Sequence, residues 1–412
     1  MKTRKIFILQ ENIILEMIIA LIINLIIFST NNKLMIYTKH LFLLIIILCV
    51  IFFVKKGNYL IRINKYKVLF SLFVISIFIS YIWSDNKVFI LDYSLYFIAG
   101  ISIIFTDFSK AFYYYLIRIF SIIFWIFIFS MFLEALMPNI FRIIFGFASF
   151  GDAEMRALTS GGAIAGLAFE KAYAAFICNL GLGVIFAKFI TTRSYKYIFK
   201  SIIVLLALMM TGKRTLFIIP IIIVLIFIII LSKNNRIIKL IGVSLGIVTI
   251  IVVAYIAVPE AALIIDRILN NKGDVWSGRE NFWNYAIEMF YHNPVFGTGF
   301  MSFNEYVYNR GFRYYGRRWN YQAHNVYIQL LGEMGIIGFI LMGELIVSII
   351  IKTIFFVKKE TNFWSILLAY WIILFGIYSF TGNTLYYPCQ LIILILDIVF
   401  ISNIVKIKSI YL

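Results

Sequence analysis

Long apolar stretches separated by short polar segments dominate the chain. A helix needs ~20 mostly apolar residues to cross the ~30 Å hydrocarbon core of a bilayer. Twelve stretches approach this length and predict membrane-spanning helices: 12–29, 35–54, 67–84, 88–106, 112–136, 167–190, 197–211, 213–232, 237–257, 323–351, 363–381 and 386–405. The pattern therefore predicts an all-α polytopic membrane protein with about 12 transmembrane helices.

Basic residues alternate between the two sides of this predicted bundle. Lys and Arg are concentrated in every second connection, such as 55–67 and 352–360. The short connections on the opposite side contain only Lys33, Lys87 or, in 382–385, no basic residue. Because cytoplasmic loops retain an excess of Lys and Arg, we predict that both termini are cytoplasmic.

Two segments on the predicted outer side are too long to be turns. One is 137–166, and the other is 258–322. The predicted organisation is therefore a first group of nine helices over 1–257, a large external loop over 258–322, and three helices over 323–412.

The large loop contains one stretch with helical periodicity. The stretch 279–291 reads RENFWNYAIEMFY, and Pro294 follows it. Its apolar side chains recur at helical spacing: Phe282, Trp283, Ile287 and Phe290. This spacing predicts an amphipathic helix that lies on the membrane or caps a cavity.

The composition excludes a soluble protein. Hydrophobic residues make up 63% of the chain, charged residues 14%, and the mean hydropathy is +0.98. Soluble domains are roughly 45–50% apolar and ~25% charged. The net charge of +18 would suggest nucleic acid in a soluble chain, but here it reflects membrane topology. The three Cys lie in apolar runs and only three His are present, so we expect no metal site and no cofactor.

Three residues on the predicted outer side can carry chemistry. Arg214 begins the eighth predicted helix, Arg279 lies in the large loop, and His324 begins the tenth helix. Two arginines can hold a phosphate or diphosphate, and a histidine can serve as a general base. Each also has a structural interpretation. In it, Arg214 extends to the outer membrane interface, Arg279 is a solvated loop charge, and His324 only forms a hydrogen bond at a helix end.

A basic and aromatic run, RGFRYYGRR, precedes the tenth predicted helix. It contains Arg310, Arg313, Arg317 and Arg318. An external membrane loop does not meet nucleic acid, so lipid phosphates or the faces of sugars are the expected ligands. The alternative is a solvated loop face beside lipid headgroups.

Other classes of membrane protein have weaker support. The chain contains no Walker loop, no G-x-S-x-G and no H-E-x-x-H motif, so ATP-driven transport has no support. Acidic residues inside predicted helices, among them Glu333 and Asp397, would suit a flippase or a proton-coupled transporter. The long external loop and the clustering of candidates on one side argue against a transporter.

The order of these motifs resembles the C-terminal signature of the O-antigen ligase/polymerase superfamily. Arg214 is followed after 65 residues by Arg279, in a loop that contains NPVFGTGF, and after 45 more by His324, in HNVYIQLLGEMGIIGF. The earlier stretch MRALTSGGAIAGLAF, which contains Arg156, resembles an external motif of the same family, although the family's Pro-Asn pair is absent here.

This resemblance implies a function. Proteins of the superfamily transfer a glycan from undecaprenyl diphosphate to an acceptor at the outer face of the bacterial inner membrane, without a nucleotide sugar or a metal. By resemblance, His324 is the catalytic base, Arg214 and Arg279 bind the diphosphate, and Arg156, Arg317 and Arg318 are further substrate-binding residues.

Within the superfamily we favour a Wzy-type polymerase of lipopolysaccharide biosynthesis, because the Phe-, Tyr-, Ile- and Lys-rich composition resembles such polymerases. The alternative is an O-antigen ligase that moves the glycan onto the lipid A core. The expected partners are the lipid-linked oligosaccharide donor and acceptor, the lipid bilayer and a chain-length regulator.

Overall fold

The computed structural model describes residues 2–29, 34–56, 63–84, 86–146, 163–232, 279–312 and 321–407, Ile410, and scattered positions between 237 and 255. The helices over these residues are α1 Lys2–Phe28, α2 Leu34–Lys56, α3 Lys65–Ser80, α4 Lys87–Phe105, α5 Lys110–Leu136, α6 Pro138–Phe145, α7 Lys171–Thr192, α8 Lys196–Met210, α9 Arg214–Leu231, α10 Arg279–His292, α11 Phe303–Asn309, α12 Val326–Lys359, α13 Phe363–Tyr378, α14 Pro388–Ser402 and α15 Ile404–Ile407.

The protein is an all-α polytopic membrane protein, as the hydrophobic pattern predicts. By length and composition, α5, α7, α9 and α12 can each cross a membrane, and shorter apolar helices pack beside them. Eleven of the twelve predicted spans correspond to described helices. The ninth, 237–257, lies largely outside the described residues. The predicted amphipathic helix over 279–291 is observed as α10. The division at 257 and 322 stays a prediction.

The connections between helices gather at two ends of the bundle. At one end, Val326 N donates a hydrogen bond to Ser379 O (2.8 Å) and Ile164 N donates one to Met210 O (2.9 Å). We call this the loop-rich end; it contains the connections 81–84, 163–170, 211–213, 293–302 and 379–387. The opposite end is held by contacts such as Lys406 Nζ to Asp107 Oδ1 (2.8 Å). Successive connections thus lie at alternate ends of the bundle, as expected for helices that cross a membrane in turn. The cytoplasmic location of the termini stays a prediction.

The centre of the bundle is formed by α13 and α14, which are buried along almost their whole length. A helix that is apolar on every side belongs in such a position. α7 approaches α13 closely because Gly183 lies against Tyr370, where a Cβ would come within 2.7 Å of the ring. The Trp371 indole then donates a hydrogen bond to Leu180 O (3.1 Å). Small residues allow this close packing of membrane helices.

α12 is broken at Gly335, which has φ 60° and ψ −163°. Only glycine adopts such a conformation at low cost. The break removes the helical acceptors of the next backbone N–H groups, which would otherwise be left unpaired. The connection after α10 replaces them: Pro294 O accepts from Ile336 N (2.9 Å) and Val295 O accepts from Ile337 N (3.4 Å).

The same connection satisfies the carbonyl groups on the other side of the break. Thr298 N donates to Gly332 O (3.2 Å) and Gly299 N donates to Glu333 O (2.7 Å). A Cβ at Gly297 would lie 2.3 Å from Glu333 O, so only glycine allows this approach. The NPVFGTGF and GEMGIIG motifs are therefore two halves of one packed unit, which positions the start of α12.

Candidate functional site

His324 lies at the loop-rich end, two residues before α12 begins. Its backbone has φ 53°, a left-handed conformation that few non-glycine residues adopt. The next residue, Asn325, caps the helix: its side-chain oxygen accepts from Tyr327 N (3.1 Å) and Ile328 N (3.2 Å). The imidazole is thus presented from a fixed turn at the N-terminus of a long helix.

The turn that carries His324 is held by Gln329, one helical turn further along the chain. Gln329 Oε1 accepts from Ala323 N (2.9 Å), and Gln329 Nε2 donates to Gln322 Oε1 (2.8 Å). On the other side, the Trp283 indole donates to Ala323 O (2.9 Å). These bonds fix the backbone immediately before His324 and help to maintain its strained conformation.

Glu333 is a fully buried carboxylate that anchors the surrounding segments. Its two oxygens accept from Met301 N (3.0 Å), Phe303 N (3.1 Å), Gln329 Nε2 (3.1 Å) and the Tyr386 hydroxyl (2.8 Å). A buried carboxylate is tolerated when its lone pairs are used in this way. Glu333 is therefore explained as a structural anchor rather than as part of a proton pathway.

Arg279 is the first residue of α10, and its guanidinium reaches the connection between α13 and α14. Nη1 donates to Thr381 O (3.0 Å). Burial lowers the pKa of Arg279, and the nearby Tyr378 opposes that shift. Thr381 O is its hydrogen-bond partner among the described residues, so this partly buried guanidinium retains further donors for an anion.

Lys213 lies at the start of α9, immediately before Arg214. Burial lowers its pKa; Glu170 opposes the shift, whereas the positive charges of Lys171 and Arg279 increase it. Lys213 and Arg279 thus act on each other electrostatically, although they come from different elements. The loop-rich end concentrates positive charge at this point.

The same two cations act on His324. The pKa of His324 is lowered from 6.5 to about 4, mainly by burial and further by Arg279 and Lys213. The imidazole is therefore neutral at pH 7 and can accept a proton. Asn383, in the connection between α13 and α14, contacts the ring, with 3.2 Å between its Nδ2 and His324 Nδ1.

The structure brings together two of the residues selected from the sequence, His324 and Arg279. Arg214 begins α9, and its neighbour Lys213 acts on His324 together with Arg279. Sequence reasoning missed Lys213 and Asn383; the only signal for Lys213 is its place in the same TGKR turn. Arg156, Arg317 and Arg318 lie outside the described residues, as does Arg313 of the basic run.

Arg310 is the described member of the basic run. It forms an ion pair with Glu288, and its guanidinium also donates to the Tyr306 hydroxyl (2.8 Å). Arg310 lies on the exposed surface and is engaged within the loop. These contacts favour the structural interpretation for this arginine.

The comparisons with known proteins concern the segment that contains this site. A search of the curated proteins finds no match. Residues 199–343 match the family model described as O-antigen ligase, and this segment includes Arg214, Arg279, His324 and the break at Gly335. The match confirms the resemblance in the sequence motifs and places residues 199–343 within the O-antigen ligase/polymerase superfamily.

Proposed function

We propose that the chain is a glycosyltransferase that joins undecaprenyl-diphosphate-linked oligosaccharide repeat units at the outer face of the bacterial inner membrane. The observation that supports this proposal is a neutral, partly buried histidine beside two cations at one end of an apolar helix bundle. A base and an anion-binding group must lie together for transfer from a diphosphate carrier.

His324 is the general base of the proposed reaction. An acceptor sugar hydroxyl gives its proton to the imidazole while its oxygen forms a bond to the anomeric carbon of the donor. The bond between that carbon and the diphosphate oxygen breaks, and the electron pair leaves with the diphosphate. A neutral imidazole at physiological pH suits the first of these events.

Arg279, Arg214 and Lys213 stabilise the negative charge that develops on the leaving diphosphate. Preorganised cations in a partly buried site stabilise such charge more strongly than they would in water. An arginine fork also matches the oxygens of a phosphate group in two-point contact. In this proposal the side chains replace a metal, so we expect excess EDTA to leave transfer unchanged.

The position of the site suits a donor that is anchored in lipid. The carrier's hydrocarbon tail stays among the apolar helices while the diphosphate and glycan lie at the loop-rich end. We propose that 258–322 forms the external loop over this site, between the helices of 1–257 and those of 323–412. Arg156, Arg317 and Arg318 remain proposed contacts to the glycan or the diphosphate.

An O-antigen ligase is the second candidate, because the family model that matches residues 199–343 carries that description. A ligase would use the same base and cations. It differs in the acceptor, which would be the lipid A core instead of a second lipid-linked repeat unit.

A deletion strain distinguishes these functions. Surface glycan and the lipid-linked pool are separated on gels, and the strain is complemented with the wild type or with His324→Ala. A polymerase predicts single repeat units at the surface and no ladder, with the ladder restored only by the wild type. Long polymer retained on the carrier lipid indicates a ligase. Repeat units held at the cytoplasmic face would show a flippase and would overturn the proposal.

A further inference from the structure

The amide of Asn383, which contacts His324, has a hydrogen-bond partner for only one of its two polar atoms among the described residues. Asn383 is buried, at 3% exposure, and its Nδ2 lies 3.2 Å from His324 Nδ1. Its other amide atom, Oδ1, is also buried and has no hydrogen-bond partner among the described residues. A buried amide oxygen without a donor costs about 1–3 kcal/mol.

The two orientations of this amide have opposite consequences for the imidazole. If Nδ2 donates to Nδ1, the ring proton must be on Nε2, and Nε2 cannot accept a proton from a substrate. A half-turn of the amide exchanges the two atoms, so that Nδ1–H donates to Oδ1 and the Nε2 lone pair is free. Oδ1 then gains the donor that it lacks.

Among the described residues around His324, Asn383 is the group that can accept from Nδ1–H. The charged groups that act on His324 are Arg279 and Lys213, and a cation cannot accept this proton. The Tyr387 side chain lies near the Asn383 amide, and its hydroxyl can donate to Oδ1 after the half-turn. The two lone pairs of Oδ1 would then both be used.

The backbone holds Asn383 and His324 in this relation. The connection 379–387 is joined to the start of α12 by the bond from Val326 N to Ser379 O (2.8 Å). It is joined to α10 by the bond from Arg279 to Thr381 O (3.0 Å). Both attachments lie within four residues of Asn383, so the amide is held firmly beside the ring.

We propose that Asn383 is the positioning residue of His324: its Oδ1 accepts from Nδ1–H and keeps Nε2 free to act as the base. The role in catalysis rests on the proposed function, whereas the tautomer is a property of the protein alone. Asn383 lies outside the segment 199–343 that matches the family model.

Nitrogen NMR tests the tautomer without any substrate. The full chain is labelled with ¹⁵N-histidine and placed in lipid nanodiscs. The exposed His40 and His292 are changed to Gln, so that the imidazole signals come from His324 alone. At pH 7 the proposal expects a protonated Nδ1 and an unprotonated Nε2. Asn383→Leu should lose this preference, and Asn383→Asp should keep it. A protonated Nε2 in the otherwise unmutated protein would overturn the proposal.

Transfer by membranes incubated with lipid-linked glycan extracted from the deletion strain tests the role in catalysis. Asn383→Leu should lower the rate of transfer about 10- to 100-fold, by analogy with groups that orient other functional histidines. Asn383→Asp should retain activity but move the acid limb of the pH profile upward, because a carboxylate stabilises the imidazolium. Asn309→Ala, at an exposed asparagine of α11, is the matched control and should match the wild type.

The two measurements separate the inference from the function on which it rests. Full activity and an unchanged pH profile in both Asn383 variants would overturn the positioning role, even if the tautomer is as proposed. If His324→Ala itself transfers glycan normally, the proposed function fails, while the NMR result still decides whether Asn383 sets the tautomer.

Discussion

At the scale of single residues, the ionisation of His324 is set by its neighbours. Burial and two cations favour the neutral ring, and Asn383 contacts the ring at Nδ1. The cations that would stabilise a leaving diphosphate thus also keep the base unprotonated. One cluster of charge serves both halves of the proposed reaction.

The pH dependence of transfer follows from this arrangement. An ordinary histidine is half protonated near pH 6.5, but the pKa of His324 is lowered to about 4, so the free protein keeps a neutral base in mildly acidic solution. We expect kcat/KM to stay flat from pH 7 down to about pH 5 and to fall near pH 4. In Arg279→Gln the loss of one positive charge should move this acid limb to higher pH. An acid limb near pH 6.5 in the wild type would contradict the proposed environment.

The chemistry of Arg279 can be separated from its charge. Arg279→Lys keeps one positive charge but loses the planar fork that can donate to Thr381 O and to a phosphate together. We expect kcat/KM for transfer to fall about tenfold or more, equivalent to about 1.4 kcal/mol. The matched control is Arg310→Lys, at an exposed arginine paired with Glu288, and it should stay near wild type. Equal effects of both variants would argue against an anion contact at Arg279.

At the scale of elements, the break in α12 and the connection after α10 depend on each other. The connection supplies acceptors to one side of the break and donors to the other. Because α10 carries Arg279 and α12 follows His324, this packed unit sets the separation of the proposed cation and base. In this chain the NPVFGTGF and GEMGIIG motifs therefore serve to build this junction.

Substitution of Gly335 should disrupt this junction. A Cβ there would lie 2.4 Å from Val295 O, in a backbone conformation with φ 60° that disfavours any side chain. We expect Gly335→Ala to destabilise the protein by about 2 kcal/mol or more and to lower its midpoint of thermal unfolding in detergent. Gly343→Ala on the same helix has open space around the new Cβ and should unfold like the wild type or slightly later. Equal midpoints for the two variants would show that the break is not required.

At the scale of the whole molecule, the sequence predicts the helices well and the site only in part. The length and hydropathy of an apolar run suffice to predict a membrane-spanning helix, and eleven predicted spans correspond to described helices. The break at Gly335 is not predictable, because a glycine in an apolar run fits a continuous helix equally well. Asn383 lies 59 residues from His324 in the sequence, and a local sequence pattern cannot predict a contact between residues so far apart.

The orientation of the bundle in the membrane is the property on which an outer-face site depends. Positive charge favours the opposite end as the cytoplasmic one, so a cysteine at the loop-rich end should be reached from outside the inner membrane. The three native cysteines are buried, so an introduced cysteine will dominate labelling by a charged, membrane-impermeant maleimide. We expect Asn309→Cys, on α11, to be labelled in intact spheroplasts, and Thr361→Cys, between α12 and α13, only after permeabilisation. The reverse pattern would place His324 and Arg279 at the cytoplasmic face, where no outer-face glycan transfer could use them.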